Sequence, residues 1–215
     1  MLVMPTNNTG FESGVLFGRF PNRLAHLHNP TRLFEPKHGI SWALDNGVYG
    51  AWSGDREWEE GPFYRYLKKF ADSHRPKWVA VPDAVTDRET TLEMWKIHAK
   101  KIKAYKVPLA FVVQDGMTPA DVPEEPEPAV IFVGGSTSFK WRTLRPLWIK
   151  NFSRVHVGRV NTERHLWQAH EAGAESCDGT GWFRGGSKRL SGLIRYLEQS
   201  TAGDHPQLKL IPHED

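Results

Sequence analysis

The chain has a single cysteine, Cys177, among its 215 residues, and it has no long apolar run. One cysteine can form neither an intramolecular disulfide nor a cysteine-rich zinc cage, so we expect a reducing cytoplasmic setting and no bound zinc. The apolar runs fall far short of the roughly 20 residues that cross a bilayer, so no membrane association is expected. The N-terminal residues also lack the basic and apolar segments of a secretory signal.

Internal repeats and low-complexity tracts are absent too, and the composition is that of an ordinary globular protein, 39% hydrophobic and 25% charged. Disordered and fibrous architectures are therefore excluded. A length of 215 residues suits one continuous core, which predicts a single domain over residues 1–215. The formal net charge of +3 permits contact with a phosphate backbone without establishing it.

Short apolar runs alternate along the chain with segments of helical periodicity. The runs are typical of buried parallel strands and cover residues 15–17, 40–44, 78–81, 109–113, 130–133, 155–157 and 174–177, with residues 208–211 as an eighth. Helical stripes lie between several of them, at residues 63–71, 88–105, 162–173 and 190–197. The alternation predicts an α/β fold, a compact (β/α)8 barrel of the TIM type.

Local signals refine this pattern. Asn161 or Thr162 is predicted to cap a helix that stops at Gly173. Closely spaced Pro and Glu predict a surface crossover at residues 117–128, and residues 53–61 form a second irregular loop. Residues 200–206 are predicted to be a flexible connection.

In such a barrel the carboxyl ends of the strands carry the chemistry, so polar residues that directly follow the apolar runs are the candidates. They are Asp45, Asn46 and Gly47; Asp83; Gln114, Asp115 and Gly116; Gly134 and Gly135; Gly158 and Arg159; and Asp178 and Gly179. A lone aspartate at a strand end is usually explained by the loop amides that it satisfies. The convergence of several carboxylates and a carboxamide beside glycines favours a functional site instead.

Five short motifs, taken in order, resemble the tRNA-guanine transglycosylase superfamily. Residues 43–49 (ALDNGVY) resemble its Asp-Ser-Gly-Gly-Phe segment, and residues 81–83 (VPD) resemble its base-recognition aspartate. Residues 111–116 (FVVQDG) are similar to its Val-Gln-Gly strand end, residues 132–135 (FVGG) to its Val-Gly-Gly turn, and residues 175–178 (ESCD) to the strand that bears its nucleophile. The order and approximate spacing are kept from residue 40 to residue 185.

The resemblance implies an enzyme that exchanges a purine-like base in nucleic acid through a covalent sugar intermediate. We expect it to use no cofactor and, because the chain has only one cysteine, no metal. It makes Asp178 the nucleophile and Asp45 the proton carrier. It assigns the base contacts to Asn46, Tyr49, Asp83, Gln114, Gly134 and Gly135, with Tyr49 stacking on the base and the two glycine amides meeting its carbonyl.

Two departures from the family pattern shape the expected substrate. Members that act on tRNA carry a zinc subdomain built from three cysteines and a histidine, which this chain cannot make, and we expect His165 and His170 to be exposed helix residues. The chain is more similar to phage and bacterial members that insert 7-deazaguanine derivatives into DNA. Guanine-containing DNA and a free, preQ0-like 7-deazaguanine base are therefore the expected partners. Asn46 and Val48 replace a serine and a glycine of the family pattern, which leaves the incoming base open.

Cations and aromatic rings near the motifs are the candidates for contact with the nucleic acid. The phosphate candidates are Arg159, Arg184, Lys188 and Arg189. The stacking candidates are Trp42, Trp52, Trp141 and Trp182.

The sequence leaves two other functions open. The same carboxylates with water as the acceptor would make an N-glycosidase or a hydrolase of free nucleosides or sugars. A catalytically silent nucleic-acid-binding barrel, such as a subunit of a larger transglycosylase, is the other.

Overall fold

The computed structural model describes residues 1–6, 10–32, 34–184 and 186–202. Within these ranges eight strands form one sheet: β1 (Leu2–Pro5), β2 (His26–His28), β3 (Trp42–Leu44), β4 (Val79–Ala80), β5 (Leu109–Val113), β6 (Val130–Val133), β7 (Val155–Val157) and β8 (Ser176–Gly179). Neighbouring strands pair in parallel in the order β1-β8-β7-β6-β5-β4-β3-β2. Isolated bridges from Val3 to Leu24 and from Thr6 to Leu27 join the two ends of the sheet. The result is a nearly closed (β/α)8 barrel, so the predicted fold class is confirmed.

Helices flank the sheet and connect most of the successive strands. They are α1 (Phe11–Arg19), α2 (Val48–Trp52), α3 (Glu60–Phe70), α4 (Arg88–Lys103), α5 (Thr137–Thr143), α6 (Glu163–Ala172) and α7 (Ser187–Ala202). Helix α5 continues as a π-helix at Leu144–Ile149, and a separate 3₁₀ turn at Pro119–Asp121 lies between β5 and β6. Side-chain caps set several starts: Asp87 accepts from Thr90 N at 3.0 Å, and Thr162 accepts from His165 N at 3.2 Å. Helix α6 ends at Gly173, whose φ is 99°, as its sequence predicted.

The strands separate two layers of core because their side chains alternate between the two faces of the sheet. In β4 and the residues on either side of it, Val79 and Val81 pack in the larger layer against the helices. Trp78 and Ala80 belong to the smaller layer inside the barrel. The interior layer also contains Met4, Leu27, Ala43, Ala110, Val112, Val130 and Phe132. These side chains fill the barrel, so that its carboxyl-terminal mouth is a cavity with a closed floor.

The N-terminal quarter differs from its sequence-based prediction. Residues 15–17, predicted as a strand, lie in helix α1, where Leu16 and Phe17 are buried and Val15 is exposed. The sequence pattern did not predict strands β1 and β2. Strand β2 occupies the position beside β3 that was expected for residues 15–17. Helix α7 extends through residues 200–202, which were predicted as a flexible connection. The strand predicted at residues 208–211 lies outside the described residues.

Among the helices that the structure describes, none combines the length and the apolar character that a membrane-crossing segment requires.

Candidate active site

An open cavity of about 360 Å³ lies at the carboxyl ends of the strands. Its lining includes these predicted site residues: Asp45, Asn46, Tyr49, Asp83, Gln114, Gly134, Gly135, Arg159, Asp178 and Arg184. The other two predicted residues, Lys188 and Arg189, are exposed on the first turn of α7 and do not line the cavity. The loop after β2 completes one side with residues that the sequence did not point out: Asn29, Thr31 and Arg32.

Asp178 lies on β8 with its side chain only 8% exposed. Its Oδ1 accepts a hydrogen bond from the backbone N–H of Arg159 at 3.1 Å and is 3.2 Å from Nε2 of His156. The other ring nitrogen of His156 is 2.8 Å from the hydroxyl of Ser176. Two partners therefore hold one oxygen of the carboxylate.

Asp45 follows β3 directly, and its backbone N–H donates to the carbonyl of His28 at 2.8 Å. The side chain lines the cavity but is surrounded by protein, and this burial is the largest cause that raises its pKa to about 7. The negative charges of Asp178 and Asp83 add to the shift. A carboxyl group with a pKa near neutrality can both give and take a proton, which suits general acid and base catalysis.

Asp83 is held by two carboxamides on the floor of the cavity. Its Oδ1 accepts from Nδ2 of Asn46 at 2.7 Å, and its Oδ2 accepts from Nε2 of Gln114. Backbone amides fix the orientation of both carboxamides, because Val48 N donates to Asn46 Oδ1 and Thr86 N donates to Gln114 Oε1, each at 2.9 Å. Burial raises the pKa of Asp83 to about 6, while the two carboxamide hydrogen bonds oppose that rise.

Contacts within the protein require glycine at the turn after β6. A Cβ on Gly135, which has φ 65°, would fall 2.6 Å from both Asp115 Oδ2 and Phe139 Cδ1. The N–H of Gly134 donates to Val113 O at 3.1 Å, so the expected contact of this amide with a base is not open to it. Asp115 accepts from the backbone N–H and the hydroxyl of Ser136, each at 2.6 Å, and so organises the start of α5.

Arg159 braces the rim of the cavity. It adopts a left-handed φ of 57°, and its guanidinium donates to the carbonyl of Gly135 and lies 4.6 Å from the ring centroid of Tyr49. Tyr49 is 41% exposed and Trp52 is 56% exposed, with their ring centroids 5.8 Å apart. The two rings form an exposed aromatic pair at the mouth, hereafter the rim pair.

The remaining aromatic predictions divide into two groups. Trp42 and Trp182 are buried in the core at 3% and 0% exposure, so their predicted role as stacking surfaces is wrong. Trp141 is half-buried and stacks on His165, with the two ring centroids 4.7 Å apart. His165 and His170 are half-buried rather than exposed because α6 packs against neighbouring helices, and Nδ1 of His170 lies 3.1 Å from the hydroxyl of Tyr196.

Two buried polar residues near Asp178 were not predicted. His156 stands in the middle of an apolar strand, Val-His-Val, a pattern that could have drawn attention to it. Lys140 on α5 is buried and donates from Nζ to the carbonyl of Gly158. Burial lowers the pKa of this lysine to about 8. Across the described ranges, no group of three or more His, Cys, Asp or Glu side chains is arranged to hold a metal ion.

No protein-family model and no curated protein matches the chain. Among solved structures it is similar to the BexX/CysO complex of Amycolatopsis orientalis, with a TM-score of 0.56 over 95% of this chain and 92% of that chain. The sequence identity is 15%, so the likeness shows the barrel fold and says nothing about function.

Proposed function

We propose that the chain is a base-exchange transglycosylase that replaces guanine in DNA with a 7-deazaguanine derivative through a covalent aspartyl-sugar intermediate. The observation that carries the proposal is the pair Asp178 and Asp45, which line one cavity and are close enough for the charge of Asp178 to raise the pKa of Asp45. The sequence motifs around these residues support the same activity.

The chemistry needs two carboxyl groups with different tasks. Exchange that leaves the backbone intact breaks a C1′–N bond and later forms a new one, which two displacements at the same carbon accomplish. Asp178 attacks C1′ in the first step and leaves in the second. Asp45, with its pKa near 7, gives a proton to the departing guanine and then takes one from the incoming base.

The floor of the cavity suits the edge of a guanine-like base. With a pKa of about 6, Asp83 is mostly ionised at pH 7 and therefore acts as a hydrogen-bond acceptor. The ring N–H and the exocyclic amino group of a guanine are donors that match it. The free volume, about 360 Å³, lies within the range of small-molecule sites, and Tyr49 borders it as a stacking surface.

The nucleic acid would meet the rim of the barrel. A nucleotide must leave the base stack before its C1′ can reach Asp178, which costs a few kcal/mol. The rim pair of Tyr49 and Trp52 offers an exposed aromatic surface to a neighbouring base, and Arg184 lines the mouth as an exposed cation. These features support a single-stranded or locally opened substrate.

The decisive experiment incubates the protein with guanine-containing DNA and labelled 7-cyano-7-deazaguanine, followed by nucleoside analysis and denaturing gels. We expect label in the DNA and a covalent protein-DNA adduct. Asp178→Asn should abolish both. Release of guanine without incorporation would instead indicate an N-glycosidase, and binding without either reaction would indicate a silent nucleic-acid-binding barrel.

A further inference from the structure

His156 joins two residues of the neighbouring strand. Strands β7 and β8 pair with His156 opposite Ser176, and Asp178 follows two residues later on the same face. The ring of His156 is fully buried, with Nε2 3.2 Å from Asp178 Oδ1 and Nδ1 2.8 Å from Ser176 Oγ. Trp78 and Phe132 pack edge-on against it, with ring centroids 4.7 and 4.5 Å away.

The hydrogen bonds define the tautomer of the ring. An ionised Asp178 can only accept, so Nε2 of His156 must carry the proton and donate. In the neutral ring Nδ1 is then an acceptor, and the hydroxyl of Ser176 donates to it. Asp178 thus sets the tautomer, and Ser176 supports it by donating to the ring nitrogen that carries no proton.

We propose that His156 and Ser176 are a positioning pair that directs Oδ1 of Asp178 away from the sugar and leaves Oδ2 to react. This proposal rests on the proposed function. In the first step the Oδ2–C1′ bond forms while the C1′–N bond breaks, and its electron pair leaves with the base, which takes the proton of Asp45. In the second step the incoming nitrogen gives its proton to the Asp45 carboxylate and bonds to C1′, and the electron pair of the Oδ2–C1′ bond returns to the Asp178 carboxylate.

The pair acts differently on the two steps. Oδ1 carries negative charge in the free carboxylate and is the carbonyl oxygen of the ester intermediate, so the N–H donors of His156 and Arg159 bind it more strongly in the carboxylate. They therefore favour departure of Asp178 from the sugar. Loss of the His156 donor should slow the second step more than the first and make the adduct accumulate.

The test compares His156→Leu, which removes the donor, with His156→Gln, whose amide can reach the same position. The probe is a guanine-containing oligodeoxynucleotide, and the preformed adduct is chased with 7-cyano-7-deazaguanine. We expect His156→Leu to slow the chase about tenfold or more and to raise the adduct fraction, and His156→Gln to stay near wild type. Equal losses in both steps would refute the proposed preference of the His156 donor for the free carboxylate over the ester.

Two further measurements keep the test decisive. Ser176→Ala should also raise the adduct fraction, to a smaller extent, and an unchanged partition in that variant overturns the proposal even where His156→Leu does not fold. Ring ¹⁵N shifts of the wild-type protein, assigned by difference from His156→Gln, should show a protonated Nε2 and an unprotonated Nδ1. The opposite tautomer refutes the positioning pair, whereas a wild-type protein that forms no adduct refutes the proposed function.

Discussion

Asn46 donates from Nδ2 to Asp83 Oδ1 at 2.7 Å, and the same amide donates to the carbonyl of Val81 at 3.0 Å. Its Oδ1 accepts from Val48 N at 2.9 Å. Asn46 was predicted to bind the base, but these bonds engage its polar atoms within the protein. Its contribution is therefore to hold Asp83 in place and to favour the ionised form of that carboxyl group.

We expect Asn46→Ser, which restores the residue type of the resembled family, to weaken binding of the incoming base. The shorter hydroxyl leaves Asp83 without one donor, so the pKa of Asp83 should rise above its present value of about 6. The KM for 7-cyano-7-deazaguanine should increase about tenfold at pH 6.5 and less at pH 8, with kcat changing less. A KM equal to wild type at both pH values would show that Asn46 does not act through Asp83.

The pKa of about 7 at Asp45 predicts opposite pH dependences for the two half-reactions. Guanine release needs the protonated carboxyl group, so its rate should fall as pH rises through about 7. Capture of the incoming base needs the carboxylate, so its rate should fall as pH drops through the same value. Rapid-quench measurements of adduct formation and of adduct chase between pH 5.5 and 8.5 separate the two.

Asp45→Asn is the control for that experiment, since it removes the titrating group and leaves Asp83 and Asp178 in place. Both pH dependences should disappear in the variant, and the rate of guanine release should fall at least a hundredfold. If Asp45→Asn keeps the pH dependences of the wild-type protein, the titrating group is another residue.

The barrel could be predicted where strands are buried on both faces and therefore read as continuous apolar runs, as in β5 and β6. Strand β2 lacks that signal because two of its three residues are His26 and His28, which are buried among Phe17, Trp42 and Tyr66. The apolar residues 15–17 carried the stronger local signal, but their burial comes from one face of helix α1. Tertiary packing decided both cases.

The site followed from a general property of parallel barrels, which bring the ends of distant strands to one mouth. That rule placed Asp45, Asp83 and Asp178 together without any knowledge of contacts. It could not identify His156 or Lys140, because their roles depend on hydrogen bonds between side chains and partners 18 to 22 residues away in the chain. Nor could it tell that the amides of Asn46 and Gly134 are engaged within the protein.

Replacing Arg184 and Lys188 with alanine should reduce the salt dependence of DNA binding. Both are exposed near the mouth, and each phosphate contact steepens the fall of log K with log salt by about 0.7 in single strands and about 0.9 in duplex DNA. Arg189 is left intact because its Nη1 lies against Gly181 in the loop after β8. We expect the slope to fall by about 1 to 2, measured by fluorescence anisotropy.

Lys100→Ala with Lys101→Ala is the matched control for the salt experiment. These lysines are exposed near the C-terminal end of α4, which lies at the end of the barrel opposite the cavity. Their removal lowers the net charge by the same two units but should leave the slope unchanged. Equal losses in the two double variants would indicate attraction by overall charge rather than a phosphate path at the mouth.

Lys140→Met should make the protein more stable but less active. Burial holds the pKa of Lys140 at about 8, below its usual 10.5, so between those values the unfolded chain binds more protons and wild-type stability rises with pH. At pH 7 the buried ammonium is destabilising. Its loss should therefore increase the free energy of unfolding by about 1 to 2 kcal/mol after the lost hydrogen bond is counted.

The activity should fall because the ammonium of Lys140 holds the carbonyl of Gly158, and the next residue, Arg159, donates its N–H to Asp178. Urea unfolding at pH 7 and pH 10 measures the stability of Lys140→Met. Its gain in the free energy of unfolding over wild type should be smaller at pH 10 than at pH 7. Lys150→Met, at an exposed position after the same helix, should change neither stability nor turnover. Two results would contradict this prediction: a Lys140→Met protein that is less stable than wild type at pH 7, or one that is fully active. Either would show that the ammonium does not serve to fix the strand end beside Asp178.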